Sequence, residues 1–330
     1  MSDELKADLV LEGGGVKGIA LVGALSVLAD AGYSFPRVAG TSAGAIVGAL
    51  VAADMSTSRM RTVMAETDYR RFQDTSLLDR LPGGRILSVL FEDGVYEGEY
   101  LRSFLAELLG DLDAFKAITL PDDPDSALPT DQRYRLVVMV SDVSLGRLVR
   151  FPWDYRPVYG LDPAEQKISD AVRASMSIPF FFEPAKLEYS RADGDRRRDA
   201  HSVLVDGGML SNFPIDVFDR TDDRAPRWPT LGIKLSTRPG ALAESFPKNV
   251  EGPVDLAKAM ITTMTSFHDA MHVDRAAVQA RTIFVDTLGV KATDFDIDAE
   301  MQERLFQQGV NAATAFLETW DFERYVADHR

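Results

Sequence analysis

A chain of 330 residues with 45% hydrophobic content is long enough to bury the core of one large α/β domain with an inserted cap. Its 51 Asp and Glu against 36 Lys and Arg leave a net charge of −15, which disfavours nucleic acid as a partner and electrostatic attachment to anionic lipid. With no Cys, disulfides, thiolate metal sites and a Cys nucleophile are all excluded.

The N-terminal Met1-Ser-Asp-Glu-Leu-Lys6 lacks the basic and apolar regions of a secretory signal. Leu9–Leu11 then reads as a short apolar strand, followed by a glycine loop and a helix over Lys17–Ala31 that Gly32 stops. Val38-Ala39 leads into a second loop and a helix over Ala43–Ala53; this order, β-α-β-α, predicts a parallel sheet. Val38–Ala53 is also the longest uncharged stretch, and its 16 residues fall short of the roughly 18 to 20 that span a bilayer. A cytoplasmic protein, at most peripheral at membranes, is expected. From Tyr69 to Asp131 the pattern loosens into loops around a helix near Tyr100–Leu109, which reads as a cap over a single domain spanning 1–330. Strands resume at Tyr134–Ser141, Arg147–Phe151, His201–Val205 and Leu231–Leu235. A helix over Val254–Ala280, a strand at Thr282–Asp286 and a helix over Asp298–Thr319 complete the order. The charged run Ser190–Asp199 reads as a solvated hairpin tip.

Two loops carry the chemistry. The spacing Gly13-x-Gly15-x-x-Gly18 satisfies a dinucleotide fingerprint, but such a fold ends its second strand with an acid placed for the ribose. Here Asp30 comes too early, and the second strand runs instead into Gly40-Thr41-Ser42-Ala43-Gly44. G-x-S-x-G at a strand-to-helix turn is a nucleophile elbow, which lifts the serine hydroxyl clear of the backbone at the positive end of a helix. Gly13, Gly14 and Gly15, without side chains, can aim several N–H groups at one oxyanion. For a base, Asp206-Gly207-Gly208 closes a short apolar strand with a carboxylate; an ordinary turn is the alternative, since Asp93-Gly94 and Asp193-Gly194 share the dipeptide. A carboxylate of reference pKa about 3.9 needs a poorly solvated pocket to take a serine proton. A Ser-His-Asp triad through His201, His268, His272 or His329 is the rival, and His268 and His272, four apart near Asp269 and Asp274, form either a metal pair or an ordinary helix face.

Glu12-Gly-Gly-Gly-Val-Lys-Gly18, Gly40-Thr-Ser-Ala-Gly44 and Asp206-Gly-Gly208, in this order, resemble the patatin-like phospholipase family, relatives of the cytosolic phospholipase A catalytic domain. Ala174-Ser-Met-Ser-Ile-Pro-Phe-Phe-Phe-Glu-Pro184 and Asp206-Gly-Gly-Met-Leu-Ser-Asn-Phe-Pro214 extend the resemblance, which runs from Leu9 to Asp286. It implies a three-layer α/β/α patatin-like fold with a mainly parallel central sheet and an inserted cap. It also implies Ser42 as nucleophile, Asp206 as its partner in a Ser-Asp dyad, the amides of Gly14 and Gly15 as oxyanion hole, and Lys17 at the family's basic position. The expected activity is hydrolysis of fatty-acyl esters (phospholipid, lysophospholipid or acylglycerol) through an acyl-enzyme on Ser42, with no cofactor and no metal. An acyltransferase using the same intermediate is an alternative. A catalytically silent nucleotide-binding or regulatory protein is another, should Ser42 and Asp206 stand apart. The apolar runs Ile178–Phe182 and Ile86–Phe91 read as core residue by residue, with an acyl-chain wall as the alternative, and contact with lipid aggregates should run through apolar residues of the insertion. Bulky replacement of Gly14 or Gly15 should cost about a hundredfold in turnover with the fold intact.

Overall fold

Apolar runs too short for helices become strands. The computed structural model describes residues 5–67, 98–121, 128–193, 196–222, 224–236 and 275–329, with scattered positions between 250 and 273. Its strands are β1 (Leu5–Lys6), β2 (Asp8–Leu11), β3 (Tyr33–Ser34), β4 (Val38–Gly40), β5 (Leu136–Asp142), β6 (Arg147–Phe151), β7 (Ala185–Asp193), β8 (Arg196–Asp206), β9 (Thr230–Lys234) and β10 (Thr282–Phe284). The helices are α1 (Gly18–Asp30), α2 (Ala43–Ala52), α3 (Thr57–Glu66), α4 (Glu99–Leu109), α5 (Ile168–Ser175), α6 (Ala276–Ala280), α7 (Ala299–Leu317) and α8 (Phe322–His329).

An eight-stranded sheet organises the molecule. β10, β9, β2, β4 and β5 run parallel in that order, while β6, β8 and β7 join antiparallel. Every residue of β2, β4, β5 and β9 is buried, the continuous apolar pattern of strands covered on both faces. Alternation sorts the side chains. Leu9, Leu11, Val38, Leu136, Val138 and Val140 pack with apolar residues of α1, α2, α5 and α7. Val10, Ala39, Val137 and Met139 face the other way, onto Phe213, Ile215, Phe218, Val273 and Val278. Three layers result, the second helical layer being thin among the described residues.

The register around β5 positions the site. β6 occupies one edge of β5 along Val138–Asp142. β4 pairs with Leu136–Val138 and β8 with Val140–Asp142, so both must lie on the opposite edge. They run towards each other, and their C-terminal ends, Gly40 and Asp206, meet at Met139.

Several elements differ from expectation. β8 is longer than His201–Val205 because it forms a ribbon with β7, paired from Ala185↔Leu204 to Asp193↔Arg196. The charged run thus supplies two paired arms, and residues 194 and 195 between them lie outside the described residues. Of the cap assigned to 69–131, residues 69–97 and 122–127 lie outside the described residues. The described part, with Leu101, Leu105 and Leu109 of α4 and with Phe115 and Ile118, joins the same core as α1 and α2. Most of the helix expected over Val254–Ala280 is also outside them, only Ala276–Ala280 forming a continuous described stretch. Among the described residues no helix is long and apolar enough to cross a membrane.

Candidate active site

Ser42 joins β4 to α2 with φ 53° and ψ −124°, a strained conformation for a residue with a Cβ. Tight packing holds it there: a Cβ on Gly40 would lie 2.2 Å from the Gly44 carbonyl oxygen, and one on Gly44 would lie 2.3 Å from that of Leu11. The Ser42 N–H donates to Ser175 Oγ (2.9 Å), and that hydroxyl donates to the Met139 carbonyl of β5 (2.7 Å). Ser42 Oγ donates to Met176 Sδ at 3.1 Å.

Asp206 ends β8 on the same edge of β5. Its N–H donates to the Ser177 carbonyl (2.8 Å) and its Oδ1 accepts from the Gly208 N–H (2.7 Å). Burial pushes its carboxyl up to about 6, with the Gly208 N–H and the neighbouring Ser42 hydroxyl opposing that rise. Ser42 and Asp206 are thus neighbours, while the serine hydroxyl itself donates to Met176 Sδ. Close packing recurs here, for a Cβ on Gly207 would lie 2.2 Å from the Met139 carbonyl oxygen and one on Gly208 2.9 Å from Asp206 Oδ1.

The glycine loop lies against both. Gly13 donates to the Asn212 carbonyl and accepts from Asn212 Nδ2, both at 3.2 Å. Its amide is thus engaged, and it serves the site by letting Asn212 and Ser42 approach. The amides of Gly14 and Gly15 have no protein acceptor among the described residues. Gly15 needs its glycine twice over: φ is +55°, and a Cβ would fall 1.8 Å from the Ala292 carbonyl oxygen. Gly18 begins α1 beside Met64. Buried Glu12 anchors the loop from below, bonded to Lys234 Nζ and to the Leu235 N–H. Burial lowers the pKa of Lys17, with Glu12 opposing and Lys234 reinforcing that shift.

Beside Ser42 a narrow apolar pocket is lined by Ala43, Ile46, Met64, Phe104, Met176 and Phe295, among others. Its volume is about 20 Å³, room for little more than a water molecule. Of the wall at Ile178–Phe182, Phe182 is buried and Phe181 stacks on Phe295 at 5.2 Å between centroids. Ile86–Phe91 lies outside the described residues.

His201 is exposed on β8, paired with Glu188, and is five residues from Asp206, about 16 Å of extended chain. His329 packs against Tyr325 at the end of α8. His268 and His272, with Asp269 and Asp274, lie outside the described residues. Sequence reasoning missed Ser175 and Met176 as partners of Ser42 and Asn212 as partner of Gly13, although all three stand inside the quoted motifs. The Glu12–Lys234 pair has no local signal, its members being 222 residues apart.

Residues 9–219 match the family model for patatin-like phospholipase. The uncharacterized protein YqhO of Bacillus subtilis (strain 168) is 34% identical over 96% of this chain and 99% of its own length. Patatin-like phospholipase domain-containing protein 7 of Mus musculus is 28% identical over 63% of this chain and 12% of its own length. Among solved structures, VipD from Legionella pneumophila aligns over 95% of this chain and 67% of its own, with 16% identity and a TM-score of 0.49.

Proposed function

The chain belongs to the patatin-like phospholipase family, and from that premise we propose that it is a serine lipid acyl hydrolase working through an acyl-enzyme on Ser42. One observation carries the reading: a buried carboxyl, raised to about pKa 6, stands beside the hydroxyl of a strained elbow serine. At pH 7 Asp206 is mostly ionised, yet far more basic than an aspartate in water, the compromise a general base requires. As Ser42 Oγ attacks the ester carbonyl, its proton passes to Asp206. The carbonyl oxygen, now an anion, is received by the amides of Gly14 and Gly15, already oriented and in need of an acceptor. Asp206 returns the proton to the departing alcohol. A water deprotonated by Asp206 then releases the fatty acid and restores Ser42.

The acyl chain enters past Met176. At about 20 Å³ the apolar pocket admits a chain only when side chains move, and the unbranched thioethers of Met64 and Met176 are the lining groups best able to do so. Lipid aggregates are the expected substrates, met peripherally. A fluorophosphonate should label the chain once, at Ser42, and Ser42→Ala should abolish both labelling and release of nitrophenol from short acyl esters. Labelling that persists in Ser42→Ala would sink the assignment.

A further inference from the structure

Three consecutive residues tie Ser42 to Asp206. Ser175 ends α5, Met176 and Ser177 follow it, and each touches the site through a different group. Ser175 Oγ accepts from the Ser42 N–H at 2.9 Å, and the Ser177 carbonyl accepts from the Asp206 N–H at 2.8 Å. Between these two backbone anchors, Met176 Sδ accepts from the Ser42 hydroxyl at 3.1 Å. The outer contacts fix where the two residues stand; the middle one fixes where the hydroxyl points.

The backbone at Met176 is pinned. Its N–H donates to the carbonyls of Val172 (3.0 Å) and Arg173 (3.2 Å), and its carbonyl accepts from the Ile178 N–H (2.8 Å). What can move is the unbranched thioether arm, with its three rotatable bonds. A thioether is a weak acceptor, whereas hydrogen bonds to an ionised carboxylate are among the strong ones. The hydroxyl therefore rests on the poorer of its two neighbours, and must turn to Asp206 before it can attack.

The same thioether closes the apolar pocket with Ala43, Ile46, Met64, Phe104 and Phe295. No charged residue lines this pocket, and the hydroxyl of Thr67 on its wall already donates to the Val63 carbonyl at 2.6 Å. Its occupant is thus a hydrocarbon. At about 20 Å³ the space takes the methyl of an acetyl group, which is close to a water molecule in size. A longer chain fits only when a lining group withdraws.

We propose that Met176 is a positioning residue that sets acyl-length specificity: its thioether holds the Ser42 hydroxyl away from Asp206 until an unbranched acyl chain displaces it from the pocket. The inference rests on Ser42 as nucleophile and Asp206 as base. A long acyl chain frees the hydroxyl that will attack its own ester, whereas a short one meets a hydroxyl still turned aside.

The test measures kcat and KM separately on nitrophenyl acetate and on nitrophenyl octanoate kept monomeric. Met176→Leu removes the acceptor at nearly constant volume, a change that buried sites tolerate. It should raise kcat on the acetate about fivefold, the scale of one net hydrogen bond. KM for the acetate should stay unchanged and kcat on the octanoate should move less than about twofold. Met176→Gln keeps the unbranched arm and supplies a stronger acceptor, so kcat on the acetate should fall about fivefold. A merely structural role would not move the two variants in opposite directions. Fluorophosphonate labelling of the parent separates two failures. No labelling at Ser42 overturns the nucleophile and the role of Met176 with it. Labelling at Ser42 together with an acetate kcat in Met176→Leu equal to or below that of the parent overturns the role of Met176 alone. If Met176→Gln does not fold, Met176→Leu decides the matter.

Discussion

A carboxylate can take a proton from serine only if ionisation is made uncomfortable, and at Asp206 burial does this. The same discomfort is a stability term. With the folded carboxyl at about 6 against an ordinary 3.8, the folded state binds the proton more tightly than the unfolded chain. This contribution is complete below about pH 3.8 and is lost as pH rises through 6. Asp206→Asn, which cannot ionise and still accepts from Gly208, should therefore gain about 3 kcal/mol at pH 8 and almost nothing near pH 3.5, read from denaturant midpoints. Its turnover should fall by several orders of magnitude, because dyad members act as a unit. Wild-type turnover should rise with pH along a single limb near 6. A catalytic histidine would give a limb close by, at about 6.5, so the profile cannot separate the two mechanisms and the variants must. Alanine at each of the four histidines should leave turnover within about threefold, within the range of an incidental change. The two loop glycines also part company: Gly14→Ala would press only on the mobile ends of Leu235 and Lys17 and should fold with roughly a hundredfold loss of turnover. Gly15→Val collides with the Ala292 backbone and should fail to fold, correcting the expectation that both replacements spare the structure. The strained turn at Ser42 and the glycine loop beside it were legible because each is one contiguous motif. Met176 over Ser42 was not, since a thioether partner 134 residues away leaves no local trace.

At the scale of elements, the parallel strands were legible from their unbroken apolar runs. β7 was missed because Lys186-Leu-Glu-Tyr-Ser190 alternates polar and apolar residues and becomes a strand by pairing with β8. The approach of β4 and β8 along one edge of β5 had no signature at all, being a fact of register. Register is also the gauge of the site: moving β8 by two residues would carry Asp206 roughly 6.6 Å from Ser42. A similar economy of space joins α1 to α7, where a Cβ on Gly23 would lie 2.1 Å from the Phe306 carbonyl oxygen and one on Gly309 2.0 Å from that of Ala20. Gly23→Ala and Gly309→Ala should each lower stability by about 1 to 3 kcal/mol or more, as overpacking does. Because α1 follows directly from the glycine loop, Gly23→Ala should lower turnover as well, an outcome checked by kinetics well below its melting temperature.

For the molecule as a whole, a net charge of −15 leaves lipid contact to apolar surface. Contact was expected through the insertion, most of which lies outside the described residues. Exposed apolar side chains occur within it at Leu112 and outside it at Leu256, Met260 and Met264, the last three 53%, 57% and 43% accessible. Each of these three is helical. Leu256→Glu with Met260→Glu should reduce hydrolysis of vesicle-borne substrate several-fold while turnover of a short soluble ester stays unchanged. Salt up to about 0.5 M should change the vesicle rate by less than roughly twofold; collapse of the rate with salt would mean that headgroup charge governs access.

The meeting of β4 and β8 on β5 also sets a schedule. Ribosomes make about 5 to 20 residues per second, and 206 − 42 = 164 residues separate the nucleophile from its base. Ser42 therefore waits roughly 8 to 33 seconds on the growing chain before Asp206 is synthesised. On the proposed mechanism, until β8 docks beside the far half of β5 the serine has no proton acceptor. A nascent or truncated chain would then be harmless to the lipids around it, with hydrolytic power arriving only once β8 is in place.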